Sequence, residues 1–209
     1  MTTVEEIAEM ERKLAEMKRS VAIVPAVQQP LKLDLGCGSP KLREHNQTSK
    51  AEGWTGIDAV ALPGVDVVCD LTETWPWPDS SVDEVNCAHM LEHVPANKRI
   101  QFCNELWRAL KPGAKARIVT PHWCSPRAYG DMTHEWPPVA EMFWTYLDKK
   151  WREDNSVVSP AYRCDFTGGT QGYSPTAWLN GRTLEFQLDA FQSKKAAADD
   201  MISVITARK

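Results

Sequence analysis

Residues 33 to 38 read Leu-Asp-Leu-Gly-Cys-Gly, an apolar strand that runs directly into Gly-x-Gly, and no other stretch limits the fold as strongly. Glycines at a strand end let the backbone turn tightly and approach a ligand that a Cβ would hold away. Two later apolar runs end in acids: Gly-Trp-Thr-Gly-Ile closes on Asp58, and Val-Asp-Val-Val-Cys closes on Asp70. As parallel strands, these runs place Gly36, Gly38, Asp58 and Asp70 on one carboxyl edge, where open α/β sheets bind ligands. The pattern is that of a nucleotide-type cofactor site.

Around it, strands are expected at 31 to 35, ending at Asp58, ending at Asp70, at 83 to 88 and at 115 to 120. The segment 97 to 110 puts Ile100, Cys103, Leu106, Trp107 and Leu110 on one helical face, and Lys111-Pro112-Gly113 stops it. This alternation predicts a doubly wound, mostly parallel α/β sheet. Past Pro121 the texture changes, with Trp123, Tyr129, Trp136, Trp144, Trp151, Tyr162, Tyr173 and Trp178 in a stretch read as irregular. We expect a substrate cap there, over about 122 to 182, with a helix marked by Val139, Met142, Phe143, Tyr146 and Leu147. A closing strand is expected from Met201 to Ala207.

The first 24 residues carry a stripe of Ile7, Met10, Leu14, Met17 and Val21, spaced three and four apart among charges. That is a short amphipathic helix, which must dock on its own domain or pair with a second copy as a homodimer. A Pro-flanked linker separates it from the main domain, 30 to 209. At 209 residues and 43% hydrophobic, one domain with an appendage is the expectation. The 24 basic residues are scattered among 28 acidic ones, net −4, so no strong nucleic-acid surface is indicated. Six cysteines without a CxxC pair read as reduced thiols, and no apolar run approaches ~18 residues. No membrane span and a cytoplasmic location are therefore expected.

A dinucleotide site of GxGxxG type would want glycine at Lys41 for close packing over a pyrophosphate. S-adenosylmethionine has no pyrophosphate. With the run Leu106-Trp-Arg-Ala-Leu-Lys-Pro-Gly113 added to the strand-end residues, the chain resembles the class I S-adenosylmethionine-dependent methyltransferases over about 31 to 121. The resemblance implies a seven-stranded Rossmann-like sheet and a cofactor set of Asp34, Gly36, Cys37, Gly38, Asp58, Ala59, Asp70, Leu71 and His89. In that set Asp34 would support the glycine loop, which would pass the methionine end. Asp58 would accept the ribose hydroxyls, Asp70 the adenine amino group, and Leu71 would pack on the base. Pro40 stands where the family often has a third glycine.

Methyl transfer to a hydroxyl or protonated amine also needs a base or a metal for the acceptor's proton. Candidates are His89, Glu92 and His93 after the fourth strand, and His122, Asp131 and His134 after the fifth. His89, His122 and His134 are the catalytic candidates. His89, Glu92, His93 and His134 are also a candidate set for Zn²⁺ or Mg²⁺, with imidazoles favouring zinc. His89-Met-Leu-Glu-His93 with a downstream His134 is similar to the Glu-x-x-Glu-His motif of small-RNA 2′-O-methyltransferases and ubiquinone-pathway enzymes, with His89 replacing the first Glu. A purely structural role for these residues stays open. Arg127, Tyr129 and Asp131 form a candidate substrate loop in which Arg127 either holds an acidic acceptor or pairs with Asp131. Cys164 and Asp165, before Gly168-Gly169, are a further candidate pair that could reach the His122 and His134 region, though nothing local demands it. The expected activity is methyl transfer to an O or N acceptor, on a small molecule or short polymer. The rival is a non-catalytic binding or assembly subunit that retains the fold.

Overall fold

The computed structural model describes residue 9 and residues 11–13, 29–39, 53–193 and 196–209. The N-terminal stripe, the linker up to residue 28, Pro40 and Lys41 lie outside the described residues, so the docking or dimer role expected of the stripe is not addressed. Seven strands form one sheet in the order β3-β2-β1-β4-β5-β7-β6. They are β1 Lys32–Leu35, β2 Trp54–Asp58, β3 Val67–Val68, β4 Val82–Ala88, β5 Leu110–Pro121, β6 Phe166–Pro175 and β7 Ala198–Ala207. The first five pair in parallel, while β7 runs antiparallel between β5 and β6. The mostly parallel, seven-stranded expectation holds.

Strand β1 sits at the centre, pairing Leu33 with Thr55 of β2 on one side and Val85 of β4 on the other. Leu33 and Leu35 are fully buried, and Asp34 between them is buried too. A strand covered on both faces needs apolar residues throughout, so this one acid must be paired. Its Oδ1 accepts a 2.7 Å hydrogen bond from Asn86 Nδ2 on β4. In β7, by contrast, Met201, Ser203, Ile205 and Ala207 alternate inward with half-buried neighbours, the period-2 signature of a strand covered on one face.

Helix α1, Arg99–Ala109, buries Phe102, Cys103, Leu106 and Ala109 against the sheet, and Leu110 passes straight into β5. The helix also fixes two loops through polar side chains. Asn104 donates to Ala161 O at 2.8 Å and accepts from the N–H groups of Arg163 and Cys164 at 2.9 and 3.0 Å. Glu105 accepts from Trp75 N–H at 2.9 Å and from Arg108 at 2.8 Å, and Arg108 donates to the carbonyls of Trp75 and Trp77. The Trp-Pro-Trp-Pro loop is thereby tied to the helix.

Two expectations need correction. Strand β6 falls inside the stretch read as irregular cap; its Gly-rich sequence shows no apolar alternation, and its place is the sheet edge. Gly168 has φ +103°, and a Cβ there would lie 2.4 Å from Val204 O, so the close approach of β6 to β7 demands glycine. The helix expected around 139 to 147 is only α3, Met142–Thr145, preceded by the short α2, Arg127–Gly130. Further along lie α4, Lys149–Asp154, and α5, Leu184–Ser193. From the cap stretch Trp144, Leu147, Cys164 and Phe166 join the central core, while Trp123, Tyr129 and Trp136 are exposed. No described helix is long and apolar enough to cross a membrane.

The Arg108 hydrogen bond outweighs burial and holds the Glu105 carboxyl below its usual range. A depressed folded value means the unfolded chain binds more protons in that window, so this stability is present at neutral pH and is lost as pH falls through the carboxylate range. Urea melts between pH 7 and 3 should show Glu105→Gln losing less stability on acidification than the parent, while starting from a lower value at pH 7.

Candidate functional site

The crevice opens where the chain leaves β1 for β2 on one side and β4 for β5 on the other, the switch point of the sheet. A cavity of about 710 Å³ occupies it. That is the size of a site for a cofactor or drug-sized ligand. Its walls come from the exits of five strands: Gly36 to Gly38 after β1, Asp58 and Ala59 after β2, Cys69 to Thr72 after β3, Ala88 to Met90 and Glu92 to Val94 after β4, and Pro121 with the α2 loop after β5.

On the β1–β2–β3 side, Asp58 Oδ2 accepts from Gly38 N–H at 2.9 Å and Oδ1 from Val60 N–H at 3.1 Å, which fixes the carboxylate plane. Asp70 lies two residues beyond the short β3 and is held by Thr72, whose N–H and hydroxyl both donate to its Oδ1 at 2.9 and 2.8 Å. The Thr72 N–H bond first, and its hydroxyl second, hold the Asp70 carboxyl below its ordinary range. A carboxylate only accepts, so both acids suit hydroxyl or amino donors. Leu71 is buried beside them. Gly36 has φ +66°, and a Cβ there would come within 2.3 Å of Met90 Cγ. The glycine thus admits the β4 exit at Met90.

The β4–β5 side is different in character. His89 adopts φ +54°, a left-handed conformation uncommon for a residue with a side chain. Its Nδ1 lies 3.4 Å from Glu92 Oε1 and its Nε2 3.9 Å from Asp200 Oδ1. Asp200 was not foreseen. It sits opposite Pro121 in the β5–β7 ladder, so it reaches the same edge from the far end of the chain. Burial pushes the Asp200 carboxyl up, against the pull of His89 and Arg127. Arg127 donates to both Asp200 oxygens at 3.0 and 3.2 Å, so its partner is Asp200 and not Asp131. Asp131 instead accepts from the Thr133 hydroxyl and N–H, which lower its pKa.

Of the expected residues, Gly36, Cys37, Gly38, Asp58, Ala59, Asp70, Leu71, His89, Glu92, His93, Arg127, Asp131 and His134 line the cavity. Asp34 stands behind it, on Asn86. His122 does not line it. Side chains alternate along an extended strand, so with Pro121 facing the cavity His122 turns the other way. It is fully buried, with Nδ1 3.0 Å from Cys124 Sγ and Nε2 3.2 Å from Glu141, which also accepts from Tyr173. Burial, then Glu141, push the Tyr173 hydroxyl up to about 12. Tyr129 is exposed and donates to Trp123 O, away from the lining. Cys164 is buried, its N–H on Asn104, and Asp165 pairs with Arg208, so neither reaches the histidines as expected.

Residues 33–118, spanning β1 to most of β5, match the model of a methyltransferase domain. That segment carries a methyltransferase domain, in agreement with the resemblance to the class I S-adenosylmethionine-dependent methyltransferases. It is similar in fold to a SAM-dependent methyltransferase from Archaeoglobus fulgidus, at TM-score 0.55 and 17% identity, covering 94% of this chain and 93% of the other. It is also similar to 1,6-didemethyltoxoflavin-N1-methyltransferase from Burkholderia thailandensis, whose structure holds 1,6-didemethyltoxoflavin and S-adenosylhomocysteine. There the TM-score is 0.52 at 12% identity, covering 100% and 92% of the chains. No curated protein matches the sequence. Within the matched segment, the glycine at 36 is a structural requirement twice over. Gly36→Ala should cost more than ~1 kcal/mol in urea denaturation, through the positive φ and the Met90 overlap together.

Proposed function

We propose that this methyltransferase moves the methyl group of S-adenosylmethionine to an oxygen or nitrogen acceptor at the β4–β5 side of the crevice. The observation that carries the reading is the gathering of Gly36, Gly38, Asp58, Asp70 and His89 around one cavity from four strand exits. In it, Asp58 takes the ribose hydroxyls, Asp70 the adenine amino group and Leu71 the face of the base. Gly36, Cys37 and Gly38 pass the methionine end, which directs the sulfonium toward His89.

The transfer is an in-line displacement. A lone pair of the acceptor attacks the methyl carbon, the carbon–sulfur bond breaks, and its electron pair stays on sulfur to give neutral S-adenosylhomocysteine. Holding nucleophile and carbon in contact supplies much of the acceleration. His89 takes the acceptor's proton. It lies between Glu92 and Asp200, two carboxylates that stabilise the imidazolium it becomes. Arg127 and Asp131, on the outer rim, orient the acceptor, a small molecule or a short polymer segment.

Calorimetry with S-adenosylhomocysteine tests the cofactor half. Asp58→Ala should weaken binding by about 10- to 100-fold, the loss of a charge-assisted pair of hydrogen bonds, with the circular dichroism spectrum unchanged. Equal affinity in parent and variant would remove Asp58 from the ribose role.

A further inference from the structure

The 3₁₀ turn Leu91–His93 and the loop after α2 are joined more firmly than their surface position requires. Glu135 N–H donates to Glu92 O at 2.9 Å. The Arg99 guanidinium, buried, donates to Val94 O at 3.0 Å, Glu135 O at 2.9 Å, Glu92 O at 3.4 Å and Pro137 O. The two loops therefore hold their side chains in a fixed relation before any ligand arrives.

Those side chains are Glu92, His93 and His134. One ligand atom from each lies within 4.8 Å of the others, and the two imidazoles meet edge to face at 4.7 Å. His134 Nδ1 is 3.3 Å from Ala128 O, and His93 Nδ1 is 3.2 Å from Thr133 O. A carbonyl only accepts, so Nδ1 is the donating nitrogen of each ring and Nε2 is the nitrogen a metal would take from the neutral imidazole; His134 Nε2 stands 3.9 Å from Asp131 Oδ2. The Thr133 hydroxyl donates to Asp131, so it too accepts from His93.

Glu92 supplies the independent observation. It is 4% exposed and lines the cavity, yet neither carboxylate oxygen has a hydrogen-bond partner. His89 approaches Oε1 to 3.4 Å without hydrogen-bond geometry. A buried carboxylate lacking donors is costly and calls for a cation. We propose that Glu92, His93 and His134 bind a zinc-class divalent cation on the acceptor side of the cavity. Two imidazoles and a carboxylate suit zinc; magnesium prefers oxygen ligands and water. Tetrahedral zinc spaces its ligand atoms about 3.4 Å apart, so the three close in by roughly an ångström on binding. Three protein ligands leave a fourth position facing the cavity. That this position takes an acceptor oxygen rests on the methyl-transfer reading; the binding of the ion does not.

The test uses the full chain, stripped with a chelator and titrated with Co²⁺, then Zn²⁺. One equivalent of Co²⁺ should bind with the strong visible bands of four-coordination, without sulfur-to-metal charge transfer, and be displaced by Zn²⁺ but not by equal Mg²⁺. Glu92→Gln and His134→Ala should each weaken binding at least ~10-fold. The exposed His93 tolerates change, so His93→Gln keeps the test readable if the buried variants fail to fold. No stoichiometric binding, affinity indifferent to His93→Gln, or a thiolate band from the cysteines would overturn the site. S-adenosylhomocysteine calorimetry on the same metal-free protein shows separately whether the cofactor reading stands.

Discussion

Everything at the site depends on the pairing of β1 between β2 and β4. The chain leaves β1 toward β2 on one side and β4 toward β5 on the other, so a crevice must open at their carboxyl ends. The strand can hold that central place because Leu33 and Leu35 satisfy both covering layers, and because Asn86 neutralises the one polar intruder, Asp34. In-register parallel pairing then delivers Asp58 beside the glycines, close enough for its carboxylate to receive the Gly38 N–H. Fold and glycine loop are one hydrogen-bonded unit.

The two halves of the crevice do different work. The β1–β3 side is a rigid set of acceptors, its carboxylates oriented by backbone N–H groups. On the β4–β5 side, by contrast, the titratable groups come from distant parts of the chain: His89 and Glu92, Arg127 to His134, and Asp200 from the last strand. The first arrangement serves a constant ligand. The second suits a variable one, because its members sit on loops that can change without disturbing the sheet.

What was legible in the sequence follows that division. The glycines, Asp58 and Asp70 could be read as cavity-lining because each is a local event at or just beyond the end of an apolar strand. Asp200 could not, since its place depends on the antiparallel return of β7 against β5. The edge strand β6 was hidden by a Gly-rich sequence without alternation. His122 was misplaced for a related reason: the end of β5 was read correctly, but one residue along a strand reverses the face. Arg99 carries no local signal, and only tertiary structure shows it binding four carbonyls of two loops.

The central claim is that this crevice holds S-adenosylmethionine with its methyl group directed at the His89 edge. A crystal structure of the chain grown with S-adenosylhomocysteine measures it most directly. The account predicts the ribose on Asp58, the adenine against Leu71 with its amino group at Asp70, and the sulfur facing His89. A ligand bound outside the crevice, or one whose sulfur points away from His89 and Asp200, would contradict it.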